Sequence, residues 1–239
     1  MDKRATYIDE LRGIAVIIMV LFHFIYQENL LTGAMEDLLN NFYINFLKTI
    51  AQIIFIALAG VCCNYSRDNI KRGLIYIYIG LLIDLLTYII IPEEMITFGI
   101  FSFMGLSVLI YEVFKKKINS MSINRGILLF IIVFIITYCF QRKMSNLGLR
   151  NNEVFNTLIN GGYLNFMGFK SSSFRSSDFF PILPWIFIFM AGVLLGRKLY
   201  KVNNSNKIKL RLLAFIGRKS LLIYLIHIPI IVIVIRIIS

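Results

Sequence analysis

Apolar residues fall in seven long runs, near 11–28, 45–65, 73–91, 96–114, 126–141, 179–197 and 217–238, broken by short polar connections. A hydrocarbon slab ~30 Å thick takes ~20 apolar residues per helical crossing, so each run is of spanning length. Backbone amides in lipid must be satisfied within their own segment, which makes helix the default. The pattern predicts an all-α, polytopic transmembrane bundle of about seven helices, built as a single membrane-embedded domain over residues 1–239. Composition agrees: 58% of the residues are hydrophobic, only 16% are charged, and the mean hydropathy is +0.77. Soluble domains carry about 25% charged residues. Lys3 and Arg4 precede the first run as they would in a secretory leader. Asp9, Glu10 and Arg12 interrupt the approach, however, and no small-residue cleavage site follows, so a retained first helix is expected.

Basic loops set orientation. With the N-terminus in the cytoplasm, that side receives 18 of the 25 Lys and Arg residues and the other side seven. The expected arrangement is therefore N-terminus inside, C-terminus outside, in a multi-pass protein of the cell membrane. The net charge of +12 then reflects anchoring on the cytoplasmic face and implies no nucleic-acid partner. The excess of Ile, Asn, Lys, Phe and Tyr suggests an AT-rich bacterial genome, hence a bacterial plasma membrane. Residues 142–178 form a long external loop rich in Asn, Ser and Gly; Phe155, Tyr163, Phe166, Phe169 and Phe174 suggest that it packs as a lid. No internal repeat is visible, which weighs against an inverted-repeat transporter. Cys62, Cys63 and Cys139 lie in apolar segments without CxxC spacing, so no metal site is expected.

Ionisable groups at membrane depth are costly and usually face a bundle interior or aqueous cavity. Three stand out: His23 in the first run, Asp84 in the third and His227 in the seventh. Arg12 and His23 are eleven residues apart, which on a helix is within about 20° of one face and ~16 Å along it. Asp9 precedes Arg12 by one turn. His227 stands two residues before Pro229, where it is either functional or a partner for a carbonyl that the proline frees. Asp84 is either functional or a buried partner of a polar group. Asp178 opens the sixth run, as a helix cap with Pro181 in the first turn or as a functional acid.

The opening DELRGIAVIIMVLFHF is similar to the first helix of transmembrane acyltransferases, in which an arginine or lysine is followed by ten residues and then histidine. The remainder resembles the membrane catalytic domain of heparan-α-glucosaminide N-acetyltransferase and its small bacterial relatives. The segments FIALAGVCCNYSR, ITFGIFSFMGLS, SSDFFPILPWIFIFMAGVLLGR and IGRKSLLIYLIHIP carry that resemblance, in order. It implies acetyl-CoA as donor, with no metal, and an amine or hydroxyl of a sugar as acceptor, in a reaction linking the two sides of a membrane. A homodimer is compatible with it. No extra luminal domain is expected, and the first external loop, Gln27 to Ile44, contains no histidine. Heparan is accordingly not expected as acceptor, and a catalytic imidazole has to be His23 or His227. His23 is then the base or transient acetyl carrier, and Asp178 with the lid orients the acceptor. Arg12, held by Asp9, and Arg72 bind donor phosphates, which suit the guanidinium fork. The competing expectations are a proton-coupled transporter or channel, with His23, Asp84 and His227 as relay, and a non-catalytic membrane scaffold.

Overall fold

The computed structural model describes residues 6–147, 157–159, 161–171, 173–201 and 210–238. They are helical throughout their regular structure, with no strand among the described residues. The principal helices are α1 (Thr6–Thr32), α2 (Glu36–Asn40), α3 (Phe42–Val61), α4 (Asn69–Ile90), α5 (Ile100–Ser120), α6 (Ile123–Leu147), α7 (Ile182–Lys201), α8 (Arg211–Arg218) and α9 (Ser220–Ile238). Five stretches are long and apolar enough to cross a membrane: Phe42–Asn64, Asn69–Ile90, Ile123–Gln141, Ile182–Leu199 and Ser220–Ile238. The other two expected spans, α1 and α5, have 27 and 21 residues. Both carry charge, α1 as Asp9, Glu10 and Arg12, and α5 as Glu112 and Lys115–Lys117. The expected seventh run divides in two, because α8 ends at Arg218 and α9 starts at Ser220.

The chain packs as two compact units, residues 1–58 with 202–239, and residues 59–201. In the first, α1 lies along α8 and α9. Their backbones meet at two glycines. A Cβ on Gly13 would strike the carbonyl of Leu213, and one on Gly217 would strike the carbonyl of Asp9. Helices in lipid gain by van der Waals packing where small residues let backbones approach. Ile8, Ala15, Val16, Ala214, Ile231 and Ile235 are buried in this unit. Leu222, Ile226, Ile230, Ile233 and Ile237 on α9 are exposed, as suits a helix bathed in lipid.

In the second unit α4 pairs with α5, and α6 pairs with α7. Phe103, Val108, Phe189, Val193 and Leu194 are fully enclosed. Asn64 Nδ2 donates to the carbonyl of Val193 at 2.9 Å, tying the end of α3 to α7. Arg197 Nη1 donates to the carbonyls of Ile118 and Met121 at 3.4 and 3.2 Å, satisfying the C-terminal end of α5. Asp68 caps α4 by accepting from the amide of Lys71 at 2.9 Å. Asp68→Ala is expected to lower thermal stability by about 1 kcal/mol, read from unfolding in detergent, with Asp68→Asn close to wild type.

The segment before α5 and the segment before α7 are held together by backbone bonds. Ser177 N donates to Met95 O at 3.2 Å and Phe180 N to Phe98 O at 3.2 Å. Ser176 Oγ accepts from the amide of Thr97 at 2.9 Å. This pairing holds the chain out of helix past Asp178, so α7 starts three residues later than a cap at Asp178 requires. Part of the expected lid packs accordingly: the Phe174 and Phe179 rings meet edge-on at 4.7 Å, and Gln141 Nε2 donates to the carbonyls of Met167 and Leu183 at 2.8 and 3.1 Å. Tyr163 and Phe166 are exposed, and Phe155 lies outside the described residues.

Candidate active site

In the first unit, α1 is one uninterrupted helix from Thr6 to Thr32, so Arg12 and His23 do lie ~16 Å apart along a single axis. At the near end, Arg12 Nη1 is 3.8 Å from Asp9 Oδ1, and both side chains are largely buried. Glu10 Oε1 accepts from the amide of Leu210 at 3.1 Å, fastening the start of α8 to α1. The close approach at Gly217 is what seats Asp9 beneath that helix.

At the far end, the two histidines of the chain meet. The His23 and His227 rings are 5.0 Å apart, centroid to centroid, with an interplanar angle of 65°. His227 Nδ1 donates to the carbonyl of Tyr224 at 2.6 Å. A carbonyl can only accept, so Nδ1 carries the hydrogen and Nε2 is the nitrogen with the lone pair. The carbonyl that Pro229 leaves free is four residues before it, at Leu225, not the one His227 uses. Phe22 flanks His23 at 5.9 Å and Tyr224 flanks His227 at 5.4 Å. Lys48 of α3 holds its ammonium 4.3 Å from the centre of the Phe22 ring, within electrostatic reach of His23. Gln27, one turn beyond His23, is 3% exposed.

Arg72 and Asp178 belong to the second unit. They stand towards opposite ends of α4: Arg72 is in its first turns, and Asp178 is near Asp84, twelve residues further on, ~18 Å along the axis. Arg72 Nη2 donates to Cys63 Sγ at 3.0 Å and to the carbonyl of Ala59 at 3.5 Å. Its buried Nε has no hydrogen-bond partner among the described residues. Beside it, Asn69 Nδ2 donates to Glu112 Oε1 at 2.8 Å and to the carbonyl of Cys63 at 3.1 Å, and Glu112 also accepts from Lys115 at 3.1 Å. At the other end, Asp84 Oδ2 accepts from the amide of Phe98 at 3.1 Å, a residue held at φ +57°. Asp178 Oδ2 lies 3.5 Å from where a Cβ on Gly99 would stand.

Of the sequence-derived candidates, Asp9 with Arg12 and His23 with His227 are thus brought together pairwise. Arg72 and Asp178 each sit in a polar cluster of their own. Lys48, Glu112 and Asn69 were not singled out from the sequence. A signal existed for the first two, since Lys48 lies in the apolar run 45–65 and Glu112 in 96–114. Asn69 carried none, because its role depends on a contact with α5.

A pair of imidazoles beside a lysine ammonium can accept a proton, pass it on, or attack an acyl group. No match was found among curated proteins or among solved structures. A family profile described as "Heparan-alpha-glucosaminide N-acetyltransferase, catalytic" matches residues 4–229. That match takes in Asp9, Arg12, His23, Arg72, Asp178 and His227, and agrees with the resemblance carried by the five sequence segments. With its run of apolar helices, the chain is a multi-pass membrane protein that belongs to the heparan-α-glucosaminide N-acetyltransferase catalytic family of acetyltransferases.

Proposed function

We propose that this protein moves an acetyl group from cytosolic acetyl-CoA to an amine or hydroxyl of a sugar on the outer side of a bacterial plasma membrane. The observation that supports this best is the 5.0 Å contact between the His23 and His227 rings, formed across α1 and α9. In the direct route, His23 takes the proton of the acceptor N–H or O–H as that atom attacks the thioester carbonyl. The carbon–sulfur bond breaks, and the departing CoA thiolate recovers the proton. In the two-step route, a His23 ring nitrogen attacks the thioester carbonyl, the carbon–sulfur bond breaks and CoA thiolate departs; the acceptor then displaces the acetyl group from that nitrogen, and its proton goes to the thiolate. His227 serves either route, because its Nε2 lone pair can relay the proton while its Nδ1–H stays on Tyr224.

The donor carries several phosphates, and Arg12, positioned by Asp9, offers its guanidinium at the opposite end of α1. The ~16 Å between Arg12 and His23 suits an extended pantetheine arm. The basic-residue bias places the N-terminus in the cytoplasm and His23 in the outer half of the membrane.

Proteoliposomes loaded with radiolabelled acetyl-CoA, with an amino sugar outside, test the scheme. Labelled N- or O-acetyl sugar is expected in the outer medium. Solute flux in the absence of acetyl-CoA, with no labelled product, would instead establish a transporter.

A further inference from the structure

Within the 59–201 unit, described residues between Gly161 and Arg175 and the stretch before α5 line an open cleft of about 290 Å³. Thr97, Asn165, Ser171, Ser173 and Arg175 supply its polar lining side chains, and Met95 and Phe174 apolar ones. Pockets for drug-sized ligands run from about 300 to 1,000 Å³, so this one has room for a single small residue and not for a polymer segment. Its polar groups are short and held in place. Asn165 Oδ1 accepts from the amide of Ser171 at 2.8 Å, which fixes the amide and leaves Nδ2 as the donor. The Ser171 and Ser173 hydroxyls are 3.4 Å apart, and Ser171 is 6% exposed. The Ser176–Thr97 bonds tie the cleft to the start of α5, and Phe174 is braced by Phe179. Closely spaced hydroxyls and an amide beside an aromatic ring match a polyhydroxylated ring.

Charge narrows the ligand. Arg175 is the single charged side chain lining the cleft, and it makes no ion pair or hydrogen bond among the described residues. The described residues of 161–178 hold two bases, Lys170 and Arg175, against one acid, Asp178. A positive cleft of this kind concentrates anions, and the guanidinium fork fits a phosphate or carboxylate with two parallel bonds. Asp178 follows Arg175 by three residues on the stretch that pairs with the start of α5.

We propose that this cleft binds a single sugar residue and selects one bearing an anionic substituent, a phosphate or a carboxylate. Arg175 holds the anion, while Asn165, Ser171 and Ser173 hold ring hydroxyls. The sugar site stands on the geometry of the 59–201 unit and does not depend on the acetyltransferase scheme above.

The test is calorimetric titration of the purified full chain in nanodiscs with glucosamine 6-phosphate, glucuronate, glucosamine and inorganic phosphate. An anionic sugar is expected to bind at least tenfold more tightly than glucosamine, and the stronger of the two anionic probes identifies the substituent. Arg175→Gln is expected to bring that affinity down at least tenfold, to the level of glucosamine, and to leave glucosamine itself unchanged. Arg175 is exposed, so the variant folds; Asn165→Ala is expected to weaken both sugars. Equal wild-type affinities for charged and neutral sugar, no response to Arg175→Gln, or phosphate alone binding as well as its sugar would each overturn the proposal. The two proposals fail separately. His23-dependent acetyl transfer without anionic preference sinks only the cleft, and Arg175-dependent sugar binding without His23-dependent transfer sinks only the transferase scheme.

Discussion

His23→Ala is expected to lower acetyl transfer from acetyl-CoA by about 10²- to 10⁴-fold, the range that a positioned general base contributes. The protein should remain folded, because the imidazole is one of several groups between α1 and α9. Its loss leaves the Gly13 and Gly217 approaches to α8 untouched. Circular dichroism and acetyl-CoA affinity should therefore match wild type, while turnover falls. His227→Ala is expected to cost less, since it removes the relay and leaves the base. The base and carrier routes separate in a rapid quench without acceptor: a carrier leaves one acetyl group on the protein, and the base leaves none. A native rate in His23→Ala would remove the imidazole from the chemistry altogether.

Gly217→Leu is expected to give the largest loss of stability of any single change in the first unit. A Cβ at this position would overlap the Asp9 carbonyl and press on the Gly13 amide, and both are backbone. Flexible side chains yield to an added methyl, whereas two helix backbones cannot part without giving up their whole contact. Overpacking a tight interior typically costs 1–3 kcal/mol, occasionally more, and the backbone contact places this case at about 3 kcal/mol or above. A control is Gly126→Ala, where the new methyl meets only the side chains of Leu194 and Met121. Thermal unfolding in detergent should show a marked drop for Gly217→Leu and a small one for Gly126→Ala. Asp9 moves with the contact, so the folded fraction of Gly217→Leu is also expected to bind acetyl-CoA more weakly. Equal stability of the two variants would show that α1 and α8 do not meet at this glycine.

These two glycines explain why DELRGIA and IGRKS belonged among the recognisable segments. Their spacing to neighbouring polar residues was visible in the sequence, but the reason for them was not. Gly13 and Gly217 are small because two helices touch there, and that contact joins opposite ends of the chain. Asp178 shows the reverse case. Its place before an apolar run with Pro181 suited a helix cap, yet the hydrogen bonds from Ser177 and Phe180 to Met95 and Phe98 hold its stretch out of the helix. Local propensity yielded to a pairing that no local pattern encodes. Lys48 was passed over although it is a charge within an apolar run; its place beside Phe22 and His23 explains how such a residue is accommodated.

The sequence by itself determined that the chain is helical and membrane-embedded, and it set the Arg12–His23 spacing. Each is a local property: apolar length against slab thickness, amide satisfaction within a segment, and the fixed rise of one helix. Tertiary structure alone decided that His23 meets His227, that Arg72 turns onto Cys63, and that Asn165, Ser171 and Arg175 line one cleft with Thr97. Those contacts join residues distant in the chain, and which face of one helix meets another is settled by packing, by glycine-wide approaches and by paired polar groups.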